Sequence, residues 1–305
     1  MKIDVPGNIL AKDFNRRGFI KGTGIAGLGI TAMSILAGLP LHASDGDDDG
    51  DNRNKGGDSK NPADQDSVAQ IFTAALIAED LATTFYYNGL VGAVIQDPNL
   101  AGSGGTATAV TSDGNAGNVN YLQAALTEEI DHANLLRSLL GISSAAKDPV
   151  QTFYFPTGSF DTLSAFTGLL DALENAFIGA YLTAVQEFAH MASDASSKPP
   201  RGRGADKSKY TSTQLEYFAK VSASIMGIES EHRVLGRVIS NTNPANNLAY
   251  EQTDGLTAVY NGPHSAVVAL TPFLTASTGP GYSFATALAE QGNVSLPVTG
   301  GPPSS

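Results

Sequence analysis

The chain has 305 residues, of which 42% are hydrophobic, enough to form one sizeable core or two small ones. Its 18 basic and 30 acidic side chains give a formal charge of −12, which argues against nucleic acid or an anionic membrane as the main partner, because both need a basic face. Cysteine is absent, so disulfides, thiolate nucleophiles and cysteine-bound metals are excluded. Any metal must be held by carboxylate and imidazole groups.

Residues 1–43 have the features of an export signal. Paired Arg16 and Arg17 are followed by Phe19, Lys21 and a glycine-rich apolar run that ends at small residues near position 43. This pattern resembles the twin-arginine signal. A membrane anchor is the alternative, but the glycines, threonines and proline of the run make a poor membrane span. The resemblance implies delivery to the twin-arginine (Tat) export machinery, a periplasmic or extracellular location, and no stable membrane anchor after signal cleavage.

Residues 44–66 consist almost entirely of Asp, Gly, Asn, Ser and Lys. Such a segment buries too little apolar area to order itself, so it is predicted to be a disordered acidic linker. Its alternating aspartates suggest calcium as an alternative, but the segment lacks the terminal glutamate of an EF-hand loop.

Four long segments between residues 67 and 240 show the 3.6-residue apolar spacing of amphipathic helices, and strand-like alternation is nearly absent. The predicted helices run from Ser67 to the mid-90s, from near Val119 to Gly141, from after Asp161 to about 191, and from Thr211 to about 240. This pattern predicts an all-α four-helix bundle, in which the connection of residues 141–160 is long enough to cross over along the bundle.

Residues 241–305 form a predicted C-terminal extension rich in Pro, Gly and Asn, which is expected to wrap irregularly around the bundle and then become partly disordered. Its only marked apolar stretch is Ala266–Leu274. The sequence from Leu296 to Gly300 matches a sortase motif, but the apolar span and basic tail of a sortase signal are missing, so we interpret the match as coincidence.

Polar side chains interrupt the apolar faces of all four helices. Burying one unpaired carboxylate costs several kcal/mol, so four of them in one core require compensation, which two divalent cations would supply. The histidines would then serve as neutral donors. The predicted metal ligands are Glu79, Glu129, His132, Glu174, Glu229 and His232.

The spacing of these residues fits metal binding. Glu129/His132 and Glu229/His232 are Glu-x-x-His pairs, whose two side chains lie one helical turn apart on one face. A third pair, Glu187 and His190, occurs on the third helix. Glu174 is the favoured ligand from that helix because its depth along the bundle matches that of Glu229 on the antiparallel fourth helix. The third pair is expected to be partly exposed.

A weak internal repeat adds two tyrosines to the site. Tyr86 follows Glu79 by seven residues, and Tyr181 follows Glu174 by the same step, so each tyrosine lies on the face of its glutamate. Each is predicted to donate a hydrogen bond to a ligand carboxylate or to act as a redox-active phenol. An ordinary core tyrosine is the alternative.

A Glu from each of two helices with Glu-x-x-His from each of the other two resembles the di-iron and di-manganese site of the ferritin-like superfamily. More narrowly, the chain resembles exported ferritin-like domain proteins similar to plant desiccation-related proteins. That resemblance rests on the stretches 173–181 and 227–232 and on the tail motifs at 244–247 and 270–273. It implies the six ligands above, holding two Fe or two Mn ions that the sequence does not distinguish.

Three functions remain open from the sequence. The first is a di-metal oxidoreductase, catalase-like or ferroxidase-like, acting on a small molecule such as O₂ or H₂O₂. The second is a non-catalytic stress or desiccation-related envelope protein whose metal site is structural. The third is a metal-free bundle that serves as a binding module. A homo-oligomer is compatible with all three, but the export signal and the long loop between the first two helices make a storage cage doubtful.

Overall fold

A computed structural model describes residues 66–197, 210–242 and 269–296. The predicted export signal and almost all of the predicted linker lie outside these residues. The described helices and strands are α1 (Val68–Val91), α2 (Ala116–Leu140), β1 (Thr152–Tyr154), α3 (Leu163–Ser197), α4 (Ser212–Ile239), β2 (Gly281–Ser283) and α5 (Phe284–Glu290).

Local side-chain chemistry sets the ends of the long helices. Ser67 and Thr211 each begin a helix with a capping box. The hydroxyl accepts from the backbone N–H of a glutamine three residues later, and the side-chain oxygen of that glutamine accepts from the backbone N–H of the capping residue. Asn115 caps α2, which therefore begins slightly before the predicted Val119. Gly141 ends the same helix at φ 70°, a left-handed conformation that favours glycine.

The four long helices form a bundle with two apolar clusters, one towards each end. The first half of α1 shares a cluster with the second halves of α2 and α3 and the first half of α4, whereas its second half packs with the first halves of α2 and α3. Helix α1 is therefore antiparallel to both α2 and α3. Since α2 and α3 run in the same direction, their connection must return along the bundle, as the sequence predicted.

The connection and the C-terminal extension join on one side of the bundle. Strand β1 from the connection pairs antiparallel with β2 from the extension, a small sheet that the sequence did not predict because three-residue strands are too short to show a period. Helix α5 then buries Phe284 against the bundle, and the Tyr87 hydroxyl donates to Glu290. Residues 269–296 thus wrap the bundle irregularly.

Helix α1 is long and apolar enough to span a membrane by length and composition. Within the bundle, however, 83% of its most apolar window is buried. Its hydropathy is accounted for by its place in the core, since it contacts α2, α3 and α5.

A candidate dinuclear metal centre

The six predicted ligands lie together at the middle of the bundle, between the two apolar clusters. Five of them are no more than 2% exposed, and the side chain of His132 is 13% exposed. Helices α1 and α3 each contribute one glutamate, while α2 and α4 each contribute a glutamate and a histidine one turn apart. The residues brought together are Glu79, Glu129, His132, Glu174, Glu229 and His232.

These residues form two overlapping groups of possible metal ligands. In each group, one atom per residue lies within 4.8 Å of the corresponding atoms of the others. The first group adds Glu79 and His132 to the shared pair Glu129 and Glu229, and the second adds Glu174 and His232 to the same pair. The shared glutamates therefore lie between two positions, each completed by one further carboxylate and one imidazole.

The Nδ1 atom of each imidazole faces the carboxylates. In the first group, Nδ1 of His132 lies 3.3 Å from Glu79 and 3.5 Å from Glu229. In the second, Nδ1 of His232 lies 3.0 Å from Glu129 and 3.5 Å from Glu229. In both imidazoles, Nδ1 therefore points towards the centre of the cluster, where it could bind a metal.

Eight buried ligand atoms in this cluster have no hydrogen-bond partner. Both carboxylate oxygens of Glu129 and of Glu229 are unpaired, as are one oxygen of each remaining glutamate and Nδ1 of each histidine. Buried polar atoms in native proteins are nearly always paired, so a group of such atoms that converge on one point needs a balancing charge and could hold a cation.

The pKa shifts in the cluster also show that its carboxylates need balancing positive charge. Burial raises the pKa values of Glu79 and Glu174 well above the usual range, and the charge of Glu229 raises both further. For His132 and His232, burial alone would lower the pKa, but the surrounding carboxylates reverse the effect and raise it. Without a metal, the cluster therefore holds excess protons in place of cations.

Both predicted tyrosines contact ligand carboxylates, but not those on their own helices. The Tyr86 hydroxyl donates to Glu174 at 2.6 Å, and the Tyr181 hydroxyl donates to Glu79. A step of seven residues moves a side chain about 10 Å along its helix, out of reach of its own glutamate. The antiparallel packing of α1 and α3 instead places each tyrosine beside the other helix's glutamate. Burial raises the pKa of both phenols, which keeps them protonated as donors.

The third Glu-x-x-His pair lies outside the cluster. Glu187 is partly buried and His190 is exposed on α3, in agreement with the expected partly exposed pair. The two groups of possible ligands include Glu174 from this helix and not Glu187.

Sequence reasoning missed Glu128. Its carboxylate lies 2.8 Å from Nε2 of His232, the nitrogen that faces away from the cluster. The residue directly precedes Glu129 in the sequence, and the antiparallel packing of α2 against α4 places it opposite His232. Identifying Glu128 from the sequence would have required knowing how α2 packs against α4.

A second buried network beside the cluster was also missed. The Arg137 guanidinium donates to Asp80 and to Asp148, at 2.6 Å in each case, and it stacks over the ring of Phe284. This network joins α1, α2, the connection between α2 and α3, and α5. Asp148 lies in an irregular loop where no period could predict its burial.

Comparison with known families agrees with this architecture. A family model described as a ferritin-like domain matches residues 67–196. The matched region contains α1, α2 and nearly all of α3, with four of the six clustered residues, and it ends before α4. No curated protein and no solved structure matches the chain.

The match supports the ferritin-like superfamily, and the helix order and crossover found in the structure agree with it. The described part of the chain therefore has an all-α, ferritin-like fold whose centre contains carboxylate and histidine groups that could hold metal.

Proposed function

We propose that the chain is a dinuclear metalloprotein that binds two Fe or two Mn ions at Glu79, Glu129, His132, Glu174, Glu229 and His232. One observation carries the proposal, namely the eight unpaired ligand atoms that converge at the centre of the bundle. A folded chain with marginal net stability needs a balancing charge for so many uncompensated groups, and two bound cations would supply it.

The donor set fits this pair of ions. Four carboxylates neutralise two divalent cations, and the two histidines then bind as neutral donors. Glu129 and Glu229 would be shared between the ions, because each belongs to both groups and has both oxygens unpaired. Carboxylate and imidazole accept both Fe and Mn, so the donor set does not select between them.

The chemistry proposed for the site is redox chemistry on O₂ or H₂O₂. Bound iron or manganese would supply a change of oxidation state. The chain itself contributes orientation and a dry environment. Tyr86 and Tyr181 hold one oxygen each of Glu174 and Glu79, and the apolar clusters towards the two bundle ends keep bulk water away.

We also propose that the protein acts outside the cytoplasm, in a stress or desiccation response. The support is the twin-arginine pattern of residues 16–21 and the resemblance to desiccation-related proteins. Replacing Arg16 and Arg17 together by lysine should retain the protein inside the cell. Unchanged export of that variant, measured by cell fractionation, would rule out the twin-arginine route.

The metal site is tested with two matched double variants of the full chain. Glu229→Ala/His232→Ala removes a Glu-x-x-His pair within the cluster, and Glu187→Ala/His190→Ala removes the same motif outside it. After folding in medium containing both Fe and Mn, the wild type and the second variant should each hold about two ions per chain, as four carboxylates require. The first variant should hold far fewer.

Metal analysis of the purified proteins decides the result. Equal metal content in the two variants would contradict the assignment of the ligands, and a stably folded wild type without metal would contradict the metalloprotein. Loaded protein should then consume O₂ or decompose H₂O₂ faster than the metal-depleted variant. Bound metal with no such activity would leave a structural role for the site.

A further inference from the structure

The two halves of the cluster are related by an approximate two-fold symmetry, which exchanges α1 with α3 and α2 with α4. Glu79 corresponds to Glu174 and His132 corresponds to His232, and the tyrosine contacts obey the same exchange. If the symmetry were complete, the two halves would bind metal with equal strength.

The two halves differ in what lies beside the outward-facing Nε2 atom of each histidine. Nε2 of His232 contacts the carboxylate of Glu128 at 2.8 Å. The residue that corresponds to Glu128 in the other half is Ile228, since it precedes Glu229 as Glu128 precedes Glu129. An aliphatic side chain accepts no hydrogen bond, and among the described residues no carboxylate lies within 4.0 Å of Nε2 of His132, so His132 lacks there the support that His232 receives.

The two histidines also differ in burial. The side chain of His232 is 3% exposed, whereas that of His132 is 13% exposed. Deeper burial and the contact with Glu128 therefore both favour metal binding in the half with His232. The half with His132 is the more open of the two.

A carboxylate behind a metal-binding histidine has a known physical effect. When Nε2–H donates to Glu128, the Nδ1 lone pair of His232 is left available and the ring is held in place. The negative charge of Glu128 also makes the imidazole a stronger donor. Loss of such a partner typically lowers metal affinity 10- to 100-fold.

We propose that the two halves of the centre bind metal with unequal affinity. The half with His232 binds its ion tightly and fills first, whereas the half with His132 fills last and releases its ion faster. This inference rests on the proposed metal site. It assigns Glu128 as a positioning residue that acts through His232.

The test measures Mn²⁺ binding to the metal-free full chain by calorimetric titration. Two variants isolate the halves. His132→Ala retains the half with His232 and should bind one ion tightly, whereas His232→Ala retains the other half and should bind one ion about 10- to 100-fold more weakly. Comparing two single-ion variants removes the repulsion between ions as an explanation for unequal binding.

Three further variants test Glu128 itself. Glu128→Ala should weaken the tight step about 10- to 100-fold and leave the weak step unchanged. Glu128→Gln keeps an acceptor for Nε2–H and should lose less affinity. Asp131→Ala, which removes an exposed carboxylate one helical turn away, should change neither step. A general loss of charge would affect Asp131→Ala as well.

A kinetic measurement on the wild type is independent of every variant. When a chelator removes Mn²⁺ from the loaded protein, one ion should leave fast and one slowly. Equal affinity in the two histidine variants, or a single release rate, would overturn the inequality and leave the metal site standing. No Mn²⁺ bound to the wild type would overturn the metal site and the inequality together.

Discussion

Two adjacent carboxylates on α1 have opposite kinds of surroundings. Asp80 is completely buried and contacts the guanidinium of Arg137 at 2.6 Å. Glu79, the preceding residue, is 2% exposed and lies among carboxylates and histidines, with no lysine or arginine paired to it within the described part of the chain. One turn of backbone thus carries a buried acid that the chain compensates and another that it does not.

The compensation at Asp80 uses a cation and a proton. Burial and the charge of Asp148 raise the pKa of Asp80, while Arg137 lowers it. Burial also raises the pKa of Asp148, although Arg137 opposes the shift. One guanidinium thus faces two carboxyl groups, and their raised pKa values favour a proton held between them.

The difference shows which buried charges are structural and which are available for binding. At Asp80 the balancing charge is covalently part of the chain, so the network can only hold elements together. At Glu79 the balancing charge must come from outside, as protons or as metal ions. Buried acids without a basic partner, beside a network that contains its own guanidinium, indicate that their uncompensated charge serves binding.

The largest expected effect comes from removing the internal cation. Arg137→Met leaves Asp80 and Asp148 without a counter-charge and should lower the free energy of unfolding by about 3–5 kcal/mol. Urea denaturation of the metal-free full chain measures the loss. Arg237→Met is the control, because its partner Asp171 is 19% exposed and the loss should be smaller. A change below about 1 kcal/mol in Arg137→Met would mean that the network is not structural.

Removing an acid from the cluster should have the opposite effect on the metal-free protein. Glu79→Gln keeps an acceptor for the Tyr181 hydroxyl and removes a carboxylate whose pKa is raised by burial. Because burial and the neighbouring carboxylates disfavour the ionised form of Glu79, the metal-free variant should be more stable than wild type at pH 8. With Mn²⁺ present, the variant should be less stable than wild type.

Glu187→Gln supplies the control for that comparison, because it removes a glutamate from outside the cluster. It should alter neither the metal-free stability nor the gain from Mn²⁺ by more than about 0.5 kcal/mol. If Glu79→Gln destabilised the metal-free chain, Glu79 would be compensated within the protein and the contrast with Asp80 would disappear.

The sequence predicted the four helices, the crossover and the six clustered residues because these follow from a helical period. A buried glutamate on an apolar face is visible as soon as the period is known. The contacts between helices were less accessible, since they depend on how the helices lie against each other. Tyr86 was expected to donate to a ligand carboxylate, but that this carboxylate is Glu174 depends on the packing of the helices, as does the contact of Glu128 with His232.

Elements outside the helical period were not predictable in the same way. Strand β1 and Asp148 lie in the irregular connection, where neither pairing nor burial leaves a pattern in three to five residues. Their positions depend on contacts with β2 and Arg137, which are distant in sequence.

The dependence of stability on pH separates protons from metal as the balancing charge. The pKa values of Glu79 and Glu174 are raised by burial, and those of the two histidines are raised by nearby carboxylates despite burial. The folded metal-free chain therefore holds more protons than the unfolded chain from about pH 4.5 upward. Its stability should fall as the pH rises, by about 1.4 kcal/mol per pH unit for each extra proton.

Metal reverses this dependence because the ions bind the deprotonated ligands. The difference in unfolding free energy between Mn²⁺-loaded and metal-free protein should therefore widen from pH 6 to pH 8. The lowered pKa of Glu129 acts in the opposite direction only below about pH 4.5, outside this range. Urea denaturation at pH 6, 7 and 8, with Mn²⁺ or with a chelator, measures the difference. A constant difference would mean that metal binding displaces no protons, and the excess protons would then reside outside the cluster.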